Sequence, residues 1–473
     1  MKIVRSVSLV AVLAAGASNV RGQAPGVPIE QAAADQRDLL GKLSELREKR
    51  AGLGPAAVAA GLAFPEPAVI SLPLCRTTAL RPSEVWQSAQ ASRLAVGWHY
   101  LCRKCDRWHL NLAGGYPVAE GGVVATCYHV ASPPADMREG QLVVVDAAGV
   151  PWPVVAVLAA SEGMDACLLR AEGLTAPVLP LNDQVRPGDP AFLLSSPLNV
   201  SGYFTDGMVN RFFWSGKGGG EGDLHRLRMH VSTDWAPGSS GSPVLDTSGN
   251  AISHVATITH LGDGKNSAGK GVAHLTLHEG IPARGVLSLV RQAGEAAAGP
   301  SGGRIEPTLA DLEKRVAAKD YRTAAGILLR LKPEVAGPEE QRKMRTLGLE
   351  AWAAEGREAE AAGLAELLRR EAADDAGLMN EVAWKLVTRF AKPGAVVLAA
   401  AEKCARRSVE LQKESDPASL DTLARVCFLL ERREEAVRLQ EEAVARAEGT
   451  LRAVLEKSLA DYRAGKLPEI KEG

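Results

Sequence analysis

Between about residue 70 and residue 289 the chain sustains no long helical period, and this limits its fold more than any other feature. Short β-branched runs such as Gly122-Val123-Val124-Ala125-Thr126, Gln141-Leu142-Val143-Val144-Val145 and Ala191-Phe192-Leu193-Leu194 are cut by Gly, Pro and Asp. Runs of this length form strands, and the breakers between them form turns. Many short strands with sharp turns over about 220 residues predict one β-barrel or a pair of them.

Beyond Ala296–Gly303, a stretch of glycine and small residues, the character changes. Glycine becomes scarce and Ala, Leu, Glu and Arg dominate to the C-terminus, a helical composition. Leu309–Leu331, Asp421–Ala447 and Leu451–Tyr462 read as amphipathic helices. Leu423-Ala424-Arg425-Val426-Cys427-Phe428 with Glu435-Ala436-Val437 spaces small and large residues in a way that resembles the tetratricopeptide family, degenerately. Asn380-Glu381-Val382-Ala383-Trp384 is read as the start of another such unit, the alternative being an irregular helical bundle. The fold class is therefore multidomain, an all-β double barrel followed by an all-α helical-repeat region.

The N-terminus pairs Lys2 and Arg5 with an apolar run, Val7–Ala15, too short to span a bilayer. Val20-Arg21-Gly22 sets small residues where a signal peptidase needs them, so cleavage before Gln23 and export are expected. The expected organisation is a signal peptide over 1–22, a helix and linker over 23–69 with the helix at Ile29–Arg50, the barrel region over 70–295, a linker over 296–304 and the helical region over 305–473. With 55 basic and 56 acidic residues, the chain has no bulk charge to favour nucleic acid or an anionic membrane.

Three motifs carry the chemistry. Ala125-Thr126-Cys127-Tyr128-His129-Val130 ends an apolar strand on a histidine. Ser161-Glu162-Gly163-Met164-Asp165-Ala166-Cys167-Leu168-Leu169 sets an acid at the mouth of another. Gly238-Ser239-Ser240-Gly241-Ser242-Pro243 presents a serine in a glycine turn. Serine needs an adjacent base, histidine titrates in the right range, and an aspartate can hold the imidazole in one tautomer. Asp136, Asp146 and Asp183 compete for the acid's place, but none leads into a comparable apolar strand.

In this order, and with G-x-S-G-[GS]-P around the serine, the chain resembles the trypsin-like (chymotrypsin-fold) serine peptidases. In style it is closest to the bacterial Deg/Htr proteases and glutamyl endopeptidases. The likeness extends to Leu179-Pro180-Leu181, Val185-Arg186-Pro187-Gly188-Asp189 and Thr205-Asp206-Gly207-Met208-Val209, and covers about residues 90–290. It implies a chymotrypsin-like double barrel, a triad of His129, Asp165 and Ser240, oxyanion donors at Gly238 and Ser240, a polypeptide substrate and no cofactor. Two departures stand out. Ser239 occupies the place of the aspartate that pairs with a new N-terminus in digestive relatives. Helical repeats stand where Deg/Htr enzymes carry a PDZ-like module.

Substrate preference is less legible. Asp234, six residues ahead of the serine, is either a pocket acid favouring Arg or Lys, or a turn acceptor. Ser253, His254 and Val255 are expected to lie on the edge that pairs with the substrate backbone. Cys102-Arg103-Lys104-Cys105 with His109 suits a disulfide, a metal clip or free thiols, with His99 or Cys75 as further ligands for a metal. Cys127 and Cys167, on apolar strands, are expected to be packed and inert.

The chain thus reads as an exported serine endopeptidase whose helical region offers a surface to a protein partner. Two rival readings are a non-catalytic peptidase-like scaffold and a thiol-redox protein built on Cys102 and Cys105.

Overall fold

The computed structural model describes residues 34–49, 51–66, 68–216, 223–262, 264–265, 271–272, 275–298, 307–331, 337–390, 392–413 and 415–470. The expected signal peptide lies outside them. Two compact units divide the chain, Met1–Arg304 and Ile305–Gly473.

The first unit opens with helices α1 (Ala34–Glu48), α2 (Pro55–Ala63) and α3 (Pro82–Ala91). Strands β1 (Leu94–Cys102), β2 (Trp108–Ala119), β3 (Val123–Thr126), β4 (Met137–Val145), β5 (Pro151–Ser161) and β6 (Ala166–Ala171) then close an antiparallel barrel in the order β1-β2-β3-β6-β5-β4. A one-turn helix α4 (Tyr128–Ala131) follows β3. The second barrel is built from β7 (Pro190–Ser195), β8 (Tyr203–Trp214), β9 (Leu227–Val231), β10 (Pro243–Leu245), β11 (Ala251–Leu261) and β14 (Leu275–Pro282), closed as β10-β11-β14-β9-β8-β7. Two short strands, β12 (Gly264–Lys265) and β13 (Gly271–Val272), pair with each other between β11 and β14. Helix α5 (Ala283–Ala298) closes the unit.

Period-2 alternation explains why these strands are apolar on both faces. In β3, Val124 points into the first barrel, while Val123 and Ala125 join a second core shared by the two barrels. In β7, Ala191 and Leu193 fill the second barrel, and Phe192 and Leu194 face the shared core. Val286, Leu289, Val290 and Ala293 of α5 cover that shared core at helical spacing. Both α3 and α5 correct the expectation of strands throughout 70–289. They belong to a β unit but bury one stripe on its surface.

The second unit holds nine helices among its described residues: α6 (Leu309–Ala317), α7 (Tyr321–Leu328), α8 (Pro338–Ala354), α9 (Glu358–Glu371), α10 (Ala376–Thr388), α11 (Ala395–Leu411), α12 (Pro417–Leu429), α13 (Arg433–Arg446) and α14 (Gly449–Arg463). Successive helices pack on each other, and next-but-one helices also touch, α6 with α8, α8 with α10, α9 with α11 and α10 with α12. The periodic runs were longer than the helices. Lys319 and Glu431, each with positive φ, end α6 and α12, so Leu309–Leu331 and Asp421–Ala447 are each two helices. Asp320, Asp375 and Asp416 cap the next starts by accepting backbone N–H bonds. Asn380–Trp384 lies inside α10, whose first turn comes before it. Buried Glu350 accepts hydrogen bonds from Lys385, Arg389 and Tyr321, tying α8 to α10 and α7. Among the described residues, no helix is long and apolar enough to cross a membrane.

Candidate active site

β3 delivers its histidine by being buried on both sides and then stopping. Cys127 caps α4, whose single turn lifts His129 out of the core with about half of its side chain exposed. β3 and β6 pair as Thr126↔Cys167, which brings the turn before β6 level with α4. That turn is tight. The Asp165 N–H donates to the Glu162 carbonyl at 3.0 Å, and Asp165 takes φ +62°, which aspartate tolerates better than most residues. Its carboxylate accepts from His129 Nδ1 at 2.8 and 3.0 Å, and Oδ1 also accepts the His129 backbone N–H at 3.0 Å. A carboxylate only accepts, so Nδ1 carries the proton and Nε2 is left as the basic nitrogen.

The second barrel holds the aspartate's turn from below. Arg228 of β9 donates to the Gly163 carbonyl at 2.9 Å and ion-pairs with Glu279 of β14 at 3.3 Å. His225 Nδ1 lies 2.8 Å from the Ser161 hydroxyl. Sequence reasoning missed both residues. Nothing local marks them, because their partners lie about sixty residues away in the other barrel.

Ser240 lies in the turn between β9 and β10. Gly238 has φ +102° and Gly241 φ +80°. A Cβ on Gly241 would fall 2.3 Å from the Gly114 carbonyl and 2.4 Å from Thr126 Oγ1, so only glycine fits there. Around it the barrels are stitched together: Gly114 N–H donates to the Ser240 carbonyl at 2.7 Å, and Thr126 Oγ1 to the Gly114 carbonyl at 2.7 Å. Thr126 ends the strand that carries His129, so one set of bonds sets serine and histidine in relation. Among the described residues no acceptor takes the Gly238 or Ser240 amide hydrogens. The Ser240 hydroxyl makes no hydrogen bond to His129. Buried Ser239 donates to Ser195 Oγ at 3.0 Å.

Ser253, His254 and Val255 are all buried, which corrects their reading as a substrate edge. β11 is paired there on both sides, with β10 and β14, and Val255 bonds Ser242 and Gly241 through its own N–H and carbonyl. Only from Ala256 onward is the β10 side of the strand without a partner strand among the described residues. His254 points into the interface between barrels, with Nδ1 3.4 Å from the Tyr116 hydroxyl and no partner on Nε2. Burial lowers its pKa to about 4, against a smaller upward pull from the Asp165 charge. Asp234 is exposed, and its backbone carbonyl accepts from Thr205 Oγ1.

Cys127 and Cys167 are buried, and burial pushes both thiols upward, so neither is a ready nucleophile. At the β1–β2 turn, Cys102, Cys105 and His109 converge with their ligand atoms within 4.8 Å of one another. Cys75 is elsewhere, donating to the Leu181 carbonyl, and His99 packs against Trp108, rings tilted by 37°, outside that group.

Residues 114–253, from β2 into β11, match the family model of the trypsin-like peptidase domain. The barrel pair holds a trypsin-like peptidase domain. The matched segment contains His129, Asp165 and Ser240. Two solved structures are similar to the chain at 16% identity, each over 46% of this chain and 68% of the other. One is an HtrA-type protease, AlgW, with a decapeptide (TM-score 0.34), the other the serine endoprotease from Yersinia pestis (TM-score 0.33). No curated protein matches the chain.

Proposed function

We propose that the chain is an exported serine endopeptidase with Ser240 as nucleophile, His129 as general base and Asp165 as the residue that orients it. One observation carries the reading: the Asp165 carboxylate grips the His129 ring and its backbone N–H together, which leaves Nε2 as the base. In the first step Ser240 Oγ bonds to the substrate carbonyl carbon and its proton passes to Nε2. Asp165 stabilises the imidazolium, and the Gly238 and Ser240 amides receive the oxyanion. Each such donor is worth about 3–4 kcal/mol in comparable sites. The imidazolium then protonates the leaving amine as the C–N bond breaks, and water repeats the sequence on the acyl-enzyme. Contact between serine and histidine commonly tightens only when substrate is bound.

Ser239 bonds inside the fold, so the domain needs no new N-terminus to order its serine turn. The helical unit, with its successive packed helices, is proposed as a tetratricopeptide-like surface for a protein partner.

The test is covalent labelling of the folded chain by a fluorophosphonate probe. Label on wild type that is lost in Ser240→Ala and sharply slowed in His129→Ala supports the reading. No label on folded wild type overturns it in favour of a non-catalytic scaffold, the reading to which the missing Ser240–His129 hydrogen bond would then point.

A further inference from the structure

The β1–β2 turn carries a cluster the peptidase mechanism does not use. Cys102 ends β1, Cys105 lies in the turn, and His109 is the second residue of β2. Cys105 Sγ is 3.0 Å from His109 Nε2. Cys102 Sγ is 3.6 Å from Asp136 Oδ2, on the segment leading into β4. Cys102, Cys105 and His109 thus meet at one corner of the first barrel, with the Asp136 carboxylate set against Cys102.

Contacts that do not involve the donor atoms shape the corner. Cys102 N–H donates to the Arg107 carbonyl at 3.0 Å and Asp106 N–H to the Cys102 carbonyl at 3.1 Å, with Asp106 at φ +53°. Arg103 N–H donates to the Asp136 carbonyl at 2.7 Å, and Arg138 ion-pairs with Asp106 at 2.8 Å. These bonds bring the Asp136 segment against the turn. The Lys104 N–H points at Cys102 Sγ at 3.4 Å, a backbone dipole aimed at a sulfur, as suits a thiolate.

We infer that Cys102, Cys105, His109 and Asp136 bind one zinc ion as a structural site. Two sulfurs, one imidazole nitrogen and one carboxylate oxygen make a complete tetrahedral zinc set. With zinc–sulfur near 2.3 Å and zinc–oxygen near 2.0 Å, a tetrahedral site sets sulfur and oxygen about 3.5 Å apart. The Cys102–Asp136 separation of 3.6 Å already meets that spacing. Two thiolates, a carboxylate and Zn²⁺ sum to a single negative charge, which Arg103, Lys104 and Arg107, next to the ligands in sequence, would offset. A disulfide between Cys102 and Cys105 would leave His109 beside Cys105 and Asp136 beside Cys102 without a purpose. The ion would staple the exposed β1–β2 turn to the start of β4, just beyond the core that Cys102 and Met137 close.

The test uses the full chain, purified without a histidine tag and kept reduced. Wild type should carry about one zinc per chain by elemental analysis. After exchange with cobalt(II) it should show thiolate-to-cobalt charge transfer and tetrahedral d–d bands. Cys105→Ser and His109→Ala should each lose the tetrahedral spectrum. Asp136→Asn should weaken zinc binding by more than the roughly 10- to 100-fold that follows loss of an outer-sphere partner. Wild type that takes up neither metal overturns the inference, independently of how the variants fold. So does a Cys102–Cys105 disulfide found by peptide mapping of the native protein, or a cobalt spectrum that persists in both Cys105→Ser and His109→Ala.

Discussion

His254 makes the peptidase domain acid-sensitive in a way that can be measured. Its ring is sealed between the barrels, and burial holds its pKa down to about 4 against 6.5 for a free imidazole. Between those values the unfolded chain binds a proton that the folded chain refuses, so stability falls as pH falls. Linkage puts the loss from this one group at about 2 kcal/mol between pH 7 and pH 5, and about 3 kcal/mol by pH 4. The assay is urea unfolding of the full chain at a series of pH values, wild type against His254→Gln, which cannot titrate but keeps a polar head for Tyr116. The helical unit and His99, also held to about 4, are common to both proteins and cancel in the difference. The two stability curves should converge as pH drops from 7 to 5. Curves that stay parallel within about 0.5 kcal/mol, or a His254 ring signal titrating near 6.5, would refute the reasoning. Asp165→Asn should push the His254 midpoint lower still, because it removes the charge that favours the imidazolium.

Two further outcomes follow from the contacts around the site. Arg228→Lys keeps a charge beside Glu279 but loses the fork that reaches Gly163. It should slow fluorophosphonate labelling about 10- to 100-fold by loosening the Asp165 turn, with little change in Tm; a wild-type labelling rate removes Arg228 from the positioning scheme. Gly241→Ala meets two barrel atoms as well as a left-handed backbone, whereas Gly121→Ala meets only the backbone term, with open space around it. Unfolding free energies should drop by about 1–2 kcal/mol in Gly121→Ala and by clearly more in Gly241→Ala; equal losses would disprove close packing of the serine turn.

Much of the site was legible because its signals are local. A strand ending in Thr126-Cys127-Tyr128-His129, a turn ending at Asp165 and a glycine turn at Ser240 each declare themselves within ten residues. Strand content was legible for the same reason, since β-branched runs between glycines depend on nearest neighbours. Errors arose where the decisive partner is remote. The amphipathic stripe of α5 reads as strand until a core exists for it to cover. Ser253–Val255 reads as an exposed edge until β10 and β14 take both sides.

From its own residues the chain determined two units of opposite secondary structure and the three segments that carry His129, Asp165 and Ser240. Local propensity and glycine's tolerance of positive φ are properties of single residues and short windows. Tertiary structure alone decided that Arg228 and His225 hold the aspartate's turn, that His254 is sealed between the barrels, and that Asp136 meets the Cys102–His109 turn. Each is a meeting of segments distant in sequence, brought together by barrel closure and by the apolar core the two barrels share, and no local pattern encodes such a meeting.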